Sequence, residues 1–379
     1  MQTSLLPHVA AANDLTRRWC AAAGAGDFVL SGCGVWPLLA VLAGAANEPA
    51  RSELAAAVGL PAGHSQDSGL RLLAEIAGAQ TVAGALGVWV REDLELRDEW
   101  VRSLPAGVVE KLTGQAAVDT WADRNTGGLI DRFPLTFRPD TLVILATAIV
   151  ARTAWLQPFD DDVLEPEAGP WRGHRGPGLS RFSRELGDAA LLAGTEPVTR
   201  VVVRGIGDLD VHLLLGDGAP ADVLGAGLGA LDGSVGTNTH LPIGTEGPGL
   251  AVRETRSVAD TLRIQVPPFT IRSRHDLLAR ADLFGLRSAS DGSRDRFPAI
   301  SPTALCIAEA VQDALARFTR EGFEAAAVTA VAMTRAGMPP RPRRVTEIAV
   351  GFDRPFGFLA VHRPTGLVIV AGWVSEPPR

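Results

Sequence analysis

From Arg320 to Met333 the chain reads Arg-Glu-Gly-Phe-Glu-Ala-Ala-Ala-Val-Thr-Ala-Val-Ala-Met. A run of small residues in extended register is what a strand needs if it must enter a sheet that is already packed. Read with period two, one face carries Phe323, Ala325, Ala327, Thr329, Val331 and Met333. The other carries Glu324, Ala326, Val328, Ala330, Ala332 and Thr334. The first face is apolar apart from Thr329 and should turn to the core; Glu324 should turn to water. Taken alone, the run also reads as a helix, because Ala favours helix. The run by itself leaves both readings open. Glu321-Gly322 opens it with a turn, and a Pro/Arg-rich segment from Thr334 to Arg344 follows.

The chain has 379 residues, enough for a single large α+β unit or two domains, and 46% of them are hydrophobic. A net charge of −7 argues against nucleic acid or an anionic membrane as the main partner. Lys111 is the only lysine and tyrosine is absent. With heavy Ala, Gly, Arg and Pro usage, that skew reads as G+C-rich, bacterial coding. Cys20, Cys33 and Cys306 make an odd count without metal-ligand spacing, so buried thiols are expected rather than a disulfide framework or zinc. The N-terminus lacks a basic region before an apolar core and does not read as a signal peptide, which points to the cytoplasm. No apolar run reaches transmembrane length.

Helical spacing is expected over Val9–Ala23, Val35–Gly44, Arg51–Val58, Leu70–Ala77, Glu99–Ser103, Asp119–Arg132, Ala221–Leu231 and His275–Phe284. Strands are expected over Asp27–Ser31, Leu86–Val90, Val198–Val203, Asp210–Leu215 and Thr261–Ile271. Leu142–Ala151 is apolar on both faces, the mark of a central strand. Pro158–Gly194 is weakly patterned. Motifs of catalysis fail. Gly225-Ala-Gly-Leu-Gly229 does not follow a strand, and the lone lysine excludes a phosphate loop. Ser31 lacks the leading glycine of a nucleophile elbow. The histidines form no helical pair for a metal, and Asp160-Asp161-Asp162 reads as a solvated turn. No cofactor or metal is expected, and no enzymatic activity.

Blocks along the chain resemble the serpin family in the right order. They are Phe28-Val-Leu-Ser31 with the apolar helix after it, and Trp121 to Ile130. Next come Leu142 to Ile149 with Trp155-Leu-Gln-Pro-Phe159, and then Val266 to Ile271 with Leu283-Phe-Gly-Leu286. Arg354-Pro-Phe-Gly-Phe-Leu359 with Gly372 to Pro377 closes the series. The resemblance covers residues 9–377 and implies one α+β domain with three β-sheets, about eight to nine helices and an exposed reactive-centre loop within 320–345. It implies a monomer that inhibits a serine protease as a suicide substrate. The loop is cut and inserts into the main sheet before the acyl-enzyme is hydrolysed. Extracellular location is common in such a family.

The resemblance assigns the hinge to Glu321, Gly322, Phe323, Glu324, Ala325, Ala326 and Ala327. It assigns the shutter and breach, which control sheet opening, to Ser31, Thr147, Trp155 and Gln312. Gly34, Thr147 and Gln312 stand where the family usually has Ser, Asn and His. Phe323 replaces a small hydroxyl residue, and so large a ring should overpack the first inserting position. Arg320 replaces an acidic residue, which should weaken a local ion pair. Counting forward from the hinge puts the reactive bond at Ala336-Gly337, with Arg335 adjacent; counting backward from Arg354 points near Arg344. Arg335 would suit a trypsin-like protease and Ala336 an elastase- or subtilisin-like one. The altered hinge and shutter favour a second reading, a serpin fold that only binds. An unrecognised hydrolase is a third, disfavoured by the missing motifs.

Overall fold

A computed structural model describes residues 5–128, 130–135, 141–167, 169–323 and 342–377. Its helices are α1 (Pro7–Ala23), α2 (Gly32–Ala45), α3 (Ala50–Val58), α4 (Ala62–Ala77), α5 (Asp98–Arg102), α6 (Gln115–Thr126), α7 (Pro220–Asp232) and α8 (Ala281–Phe284). The strands of the first half are β1 (Phe28–Leu30), β2 (Val82–Val90), β3 (Val109–Lys111), β4 (Val143–Ala151), β5 (Thr153–Ala154), β6 (Asp160–Leu164), β7 (Gly176–Ser183) and β8 (Ala189–Leu192). The next are β9 (Val198–Arg204), β10 (Leu209–Leu215), β11 (Thr237–Asn238), β12 (Glu246–Gly247), β13 (Leu250–Ser257), β14 (Thr261–Val266) and β15 (Phe269–Asp276). The last are β16 (Val311–Phe318), β17 (Gly322–Phe323), β18 (Arg343–Gly351), β19 (Phe356–His362) and β20 (Leu367–Val374).

The sequence accounts for most of these. Pro7 opens α1, where a missing N–H costs nothing. The Ser31 hydroxyl accepts from the Gly34 N–H and caps α2. The expected helix to Arg132 stops at Thr126, because Gly127 turns left-handed at φ 57°. The expected strand Thr261–Ile271 is two strands, since Pro267 and Pro268 cannot donate to a ladder. β15 runs on through His275 to Asp276, and only Ala281–Phe284 of the expected helix His275–Phe284 is α-helical. The weakly patterned middle holds β6, β7 and β8, and the aspartates expected in a turn lie on β6. β6 shows little alternation because it is an edge strand, exposed along most of its length.

A seven-stranded sheet of order β1-β20-β19-β10-β9-β8-β11 forms the centre. Helices α1, α2 and α7 pack against it. Its strands β19 and β20 are buried along their whole length. Gly372 is needed there: a Cβ would lie 2.6 Å from the Phe28 carbonyl oxygen. A six-stranded sheet, β12-β13-β18-β14-β7-β6, packs beside it. The expected third sheet is present as one layer parted into two, β3-β2-β4 and β15-β16-β17-β5. Only Arg152 separates β4 from β5, so the halves share a chain but not a continuous ladder. Among the described residues no helix is long and apolar enough to cross a membrane. Cys20 and Cys33 are buried free thiols, and burial pushes both up to about 12; Cys306, expected to be buried with them, is exposed.

The central sheet carries a buried polar row. Asp210 lies opposite Arg204, and His212 opposite Val202 on one side and Leu359 on the other. Arg363 grips Asp210 with two donors, each at 2.8 Å. Burial, with Arg200 and Arg204 nearby and only Asp210 opposing, pushes His212 from 6.5 down to about 3. Between those values the unfolded chain binds a proton that the folded one refuses. Stability contributed by neutral His212 is therefore complete above about pH 6.5 and lost as the pH falls toward 3. Urea denaturation should show the wild type losing more stability over this window than His212→Gln. Equal losses would contradict the assignment.

Candidate functional site

The turn before the hinge is built by Thr319. Its N–H donates to the Gly322 carbonyl at 2.9 Å, and its hydroxyl accepts from the N–H groups of Glu321 and Gly322. The chain then enters β17, antiparallel to both neighbours: Phe323 lies opposite Phe318 of β16 and Thr153 of β5, and Gly322 opposite Ala154. Phe323 is fully buried, 6.2 Å from the ring of Phe358. The large ring expected to overpack this position thus has a place in the core.

Trp155 holds the turn from the other side. Its backbone N–H donates to Glu321 O and its indole N–H to Thr319 O, both at 2.9 Å. Its ring lies 4.8 Å from that of Phe318. Phe159 adds a backbone bond to Arg320 O. Arg320 was expected to weaken an ion pair; instead it makes two, with Asp161 at 3.4 Å and Glu321 at 3.0 Å. Its hydrogen bond holds the Glu321 carboxyl below the usual range.

Ser31, Thr147 and Gln312 come together elsewhere, at the start of α2. Gln312 clamps the Ser31 backbone: Oε1 accepts from the N–H at 2.9 Å and Nε2 donates to the carbonyl at 2.8 Å. The Ser31 hydroxyl donates to Ile369 O at 2.7 Å. The Thr147 hydroxyl donates to Gly34 O. A Cβ on Gly34 would lie 3.1 Å from Ser31 Oγ and 3.2 Å from Gln312 Nε2. The small residue and the long amide are therefore one adjustment, and the departures from the family pattern form a satisfied network. Trp155 belongs with the hinge turn and not with this cluster.

His275 was not singled out from the sequence. It lies opposite Gln312 across β15 and β16, and its Nε2 bonds Val29 O at 2.8 Å. Burial lowers its basicity, which favours the neutral ring that donates this bond. Only strand pairing brings it here, so a scattered histidine gave no signal.

Between these two places runs a gap. β4 pairs with β2 along its full length and β16 with β15. Among the described residues, no pairing joins their other edges; β17 reaches Phe318 of β16 and pairs on its other side with β5, not β4. The edges line a cavity of about 420 Å³, floored by Leu38, Leu39 and Leu42 of α2 and roofed by Trp121 of α6. One face of β4, with Ile144, Ala146 and Ala148, packs under Trp121 and Trp89. The opposite face, with Leu145 and Ile149, meets the main core. Glu324, Ala325, Ala326, Ala327, Arg335, Ala336 and Gly337 lie outside the described residues. Among the described residues no group of His, Cys, Asp or Glu could hold a metal ion.

A model of the family described as "Serpin (serine protease inhibitor)" matches residues 9–168 and 250–377. Serpin-Z2A of Oryza sativa subsp. japonica is 23% identical over 93% of this chain and 92% of its own length. Other curated relatives match in part. The chain spans 18% of the rice putative serpin-Z6C, at 37% identity over 19% of this chain. It spans 26% of a serine proteinase inhibitor of Cavia porcellus, at 28% identity over 31% of this chain. The fold is that of human thyroxine-binding globulin complexed with its hormone, with a TM-score of 0.72, 17% identity and 98% of both chains covered. Relatives from a plant and a mammal lend no support to the bacterial reading of the composition. The family model covers more than half of the residues and the fold agrees along the whole length: this chain belongs to the serpin family.

Proposed function

We propose that this serpin inhibits serine-type endopeptidases as a suicide substrate, its cut loop entering the gap between β4 and β16. The carrying observation is β17, already seated between β5 and β16 at one end of that gap. New ladder bonds contribute about 0.5–1.5 kcal/mol each and offset the entropy of ordering the loop. A relative named as a serine proteinase inhibitor supports the reading.

The register of β17 supports it further. Carried forward, one residue back on each partner for each residue ahead, it sets 325 opposite Ala151, 327 opposite Ile149 and 333 opposite Val143. The strand would end where β4 begins, and Arg335, Ala336 and Gly337 would follow just beyond it. Thr329, the one polar residue of its face, would fall between Thr147 and Gln312, above the Ser31 cluster. Ala326, Val328, Ala330 and Ala332 would run beneath α6, beside Val150, Ala148, Ala146 and Ile144. Small residues are therefore needed on both faces. Glu324 would fall opposite Arg152, whose Nε is buried without a partner. The protein would act as a monomer, because a second chain in the gap would block its own loop.

Incubation with trypsin, elastase and subtilisin should yield an SDS-resistant complex with at least one. The cleaved serpin should melt at a higher temperature than the intact one. A loop cut without complex, and without a rise in melting temperature, would favour a fold that only binds. Mass spectrometry of the fragments should place the cut at Ala336-Gly337 or beside Arg335; cutting only after Arg341 would reject that bond.

Thr329→Glu should leave the cleavage rate unchanged but reduce complex formation roughly tenfold or more, since burying an unpaired carboxylate costs several kcal/mol. Thr329→Val should keep most of it. Equal complex yield in all three proteins would rule out the register. Phe323→Ala should lower the stability of the intact protein by about 3–5 kcal/mol in urea. A loss below about 1 kcal/mol would mean that the ring is not held in the core.

A further inference from the structure

β18, the first strand described after the hinge, is held on both edges. On one side it pairs antiparallel with β13, from Arg343 opposite Ser257 to Val350 opposite Leu250. On the other it runs parallel to β14, from Glu347 opposite Thr261 to Gly351 opposite Gln265. The Gly351 N–H donates to Gly249 O at 2.9 Å and the Phe352 N–H to Gln265 O at 2.8 Å, which extends both ladders. β13 and β14 follow each other in the chain, yet β18 lies between them. Ser257 stands on one side of β18 and Thr261 on the other, so Val258, Ala259 and Asp260 must cross it.

Two observations mark the crossing. The Thr346 N–H, just before β14 begins to pair, donates to Asp260 Oδ1 at 2.8 Å. Val345 is only 5% exposed, although it joins neither hydrophobic cluster of the described residues. By strand alternation it points away from the face of Ile348 and Val350, which meets the core. A strap across that outer face accounts for its burial. Thr261 Oγ1 donates to Ala259 O at 3.1 Å and tightens the strap. An edge strand peels from one neighbour. A strand threaded between two neighbours and under a strap must break two ladders and be drawn out endwise.

We propose that the strap between β13 and β14 is a lock, which fixes β18 so that the loop enters the slot only after it has been cut. In the register set out above, Thr334 would lie at the far end of the slot. Fully extended, the chain from there to Arg343 reaches about 30 Å. β4, nine residues long, is itself about 30 Å. An uncut loop therefore lacks the slack to fill the slot unless β18 yields chain, whereas a cut loop needs none. The lock rests on the proposed function and assigns the control of its timing to β13, the strap and β14.

Uncut protein held warm, below its melting temperature, tests the lock. The wild type should keep a cleavable loop and an unchanged melting temperature. Thr255→Pro removes a ladder donor opposite Val345, in phase with the bonded Gly249. Asp260→Ala removes the acceptor of the strap and keeps the comparison should Thr255→Pro fail to fold. Each variant should lose its cleavable loop roughly tenfold faster than the wild type. Its mass should stay that of the uncut chain while its melting temperature rises toward that of the cut protein. Arg256→Cys with Arg344→Cys, exposed and directly opposite, closes a disulfide between β13 and β18 and should restore the wild-type rate. Variants that keep their loops cleavable as long as the wild type, while cutting still raises the melting temperature, would overturn the lock and leave the proposed function standing. Cutting that brings no rise in the wild type would remove both.

Discussion

Among the described residues, the structure turns on two strand edges that do not meet. Backbone N–H and C=O groups in a protein interior seek partners. Among the described residues, β4 and β16 present theirs across a gap that only Gly322 and Phe323 reach at one end. The sheets around that gap are complete. The seven-stranded sheet is buried along β19 and β20, and α2 and α6 hold the floor and the roof.

Two clusters stand at that slot with different duties. At the hinge end, Trp155 and Phe159 hold the turn by its carbonyls while Arg320 ties it to the acidic strand β6. Exposed ion pairs such as Arg320–Asp161 contribute little, so the grip there is backbone bonding and aromatic packing. Further along, Gln312 clamps Ser31 and Thr147 reaches Gly34. This links β16 and β4 to α2 on both sides of the gap. On the proposed insertion, an entering strand would have to slide over these groups without uncoupling them. In the proposed register, Thr329 would arrive between two polar side chains and cost less than an apolar residue there.

Much of this was legible in the sequence. The closing hairpin was visible because Phe356 to Val374 is largely apolar, and β4 because it is apolar on both faces. The turn at Glu321-Gly322 was visible as a glycine turn before the alanines, which themselves lie outside the described residues. The charge partner of Arg320 was not legible, because Asp161 lies far away in sequence on a strand whose pattern is that of a surface edge. The compensation between Gly34 and Gln312 was hidden too: each looks like a loss until their atoms are seen to share one space. The division of Thr261–Ile271 was written in Pro267 and Pro268, yet strand propensity on either side concealed it.

Amide hydrogen exchange along β4 and β16, before and after loop cleavage, tests the central claim most directly. If the slot takes in the cut loop, the gap-facing amides between Val143 and Ala151 and between Val311 and Arg317 should exchange slowly after cleavage, as central strands do. Exchange at those amides that stays as fast after cleavage as before would contradict it.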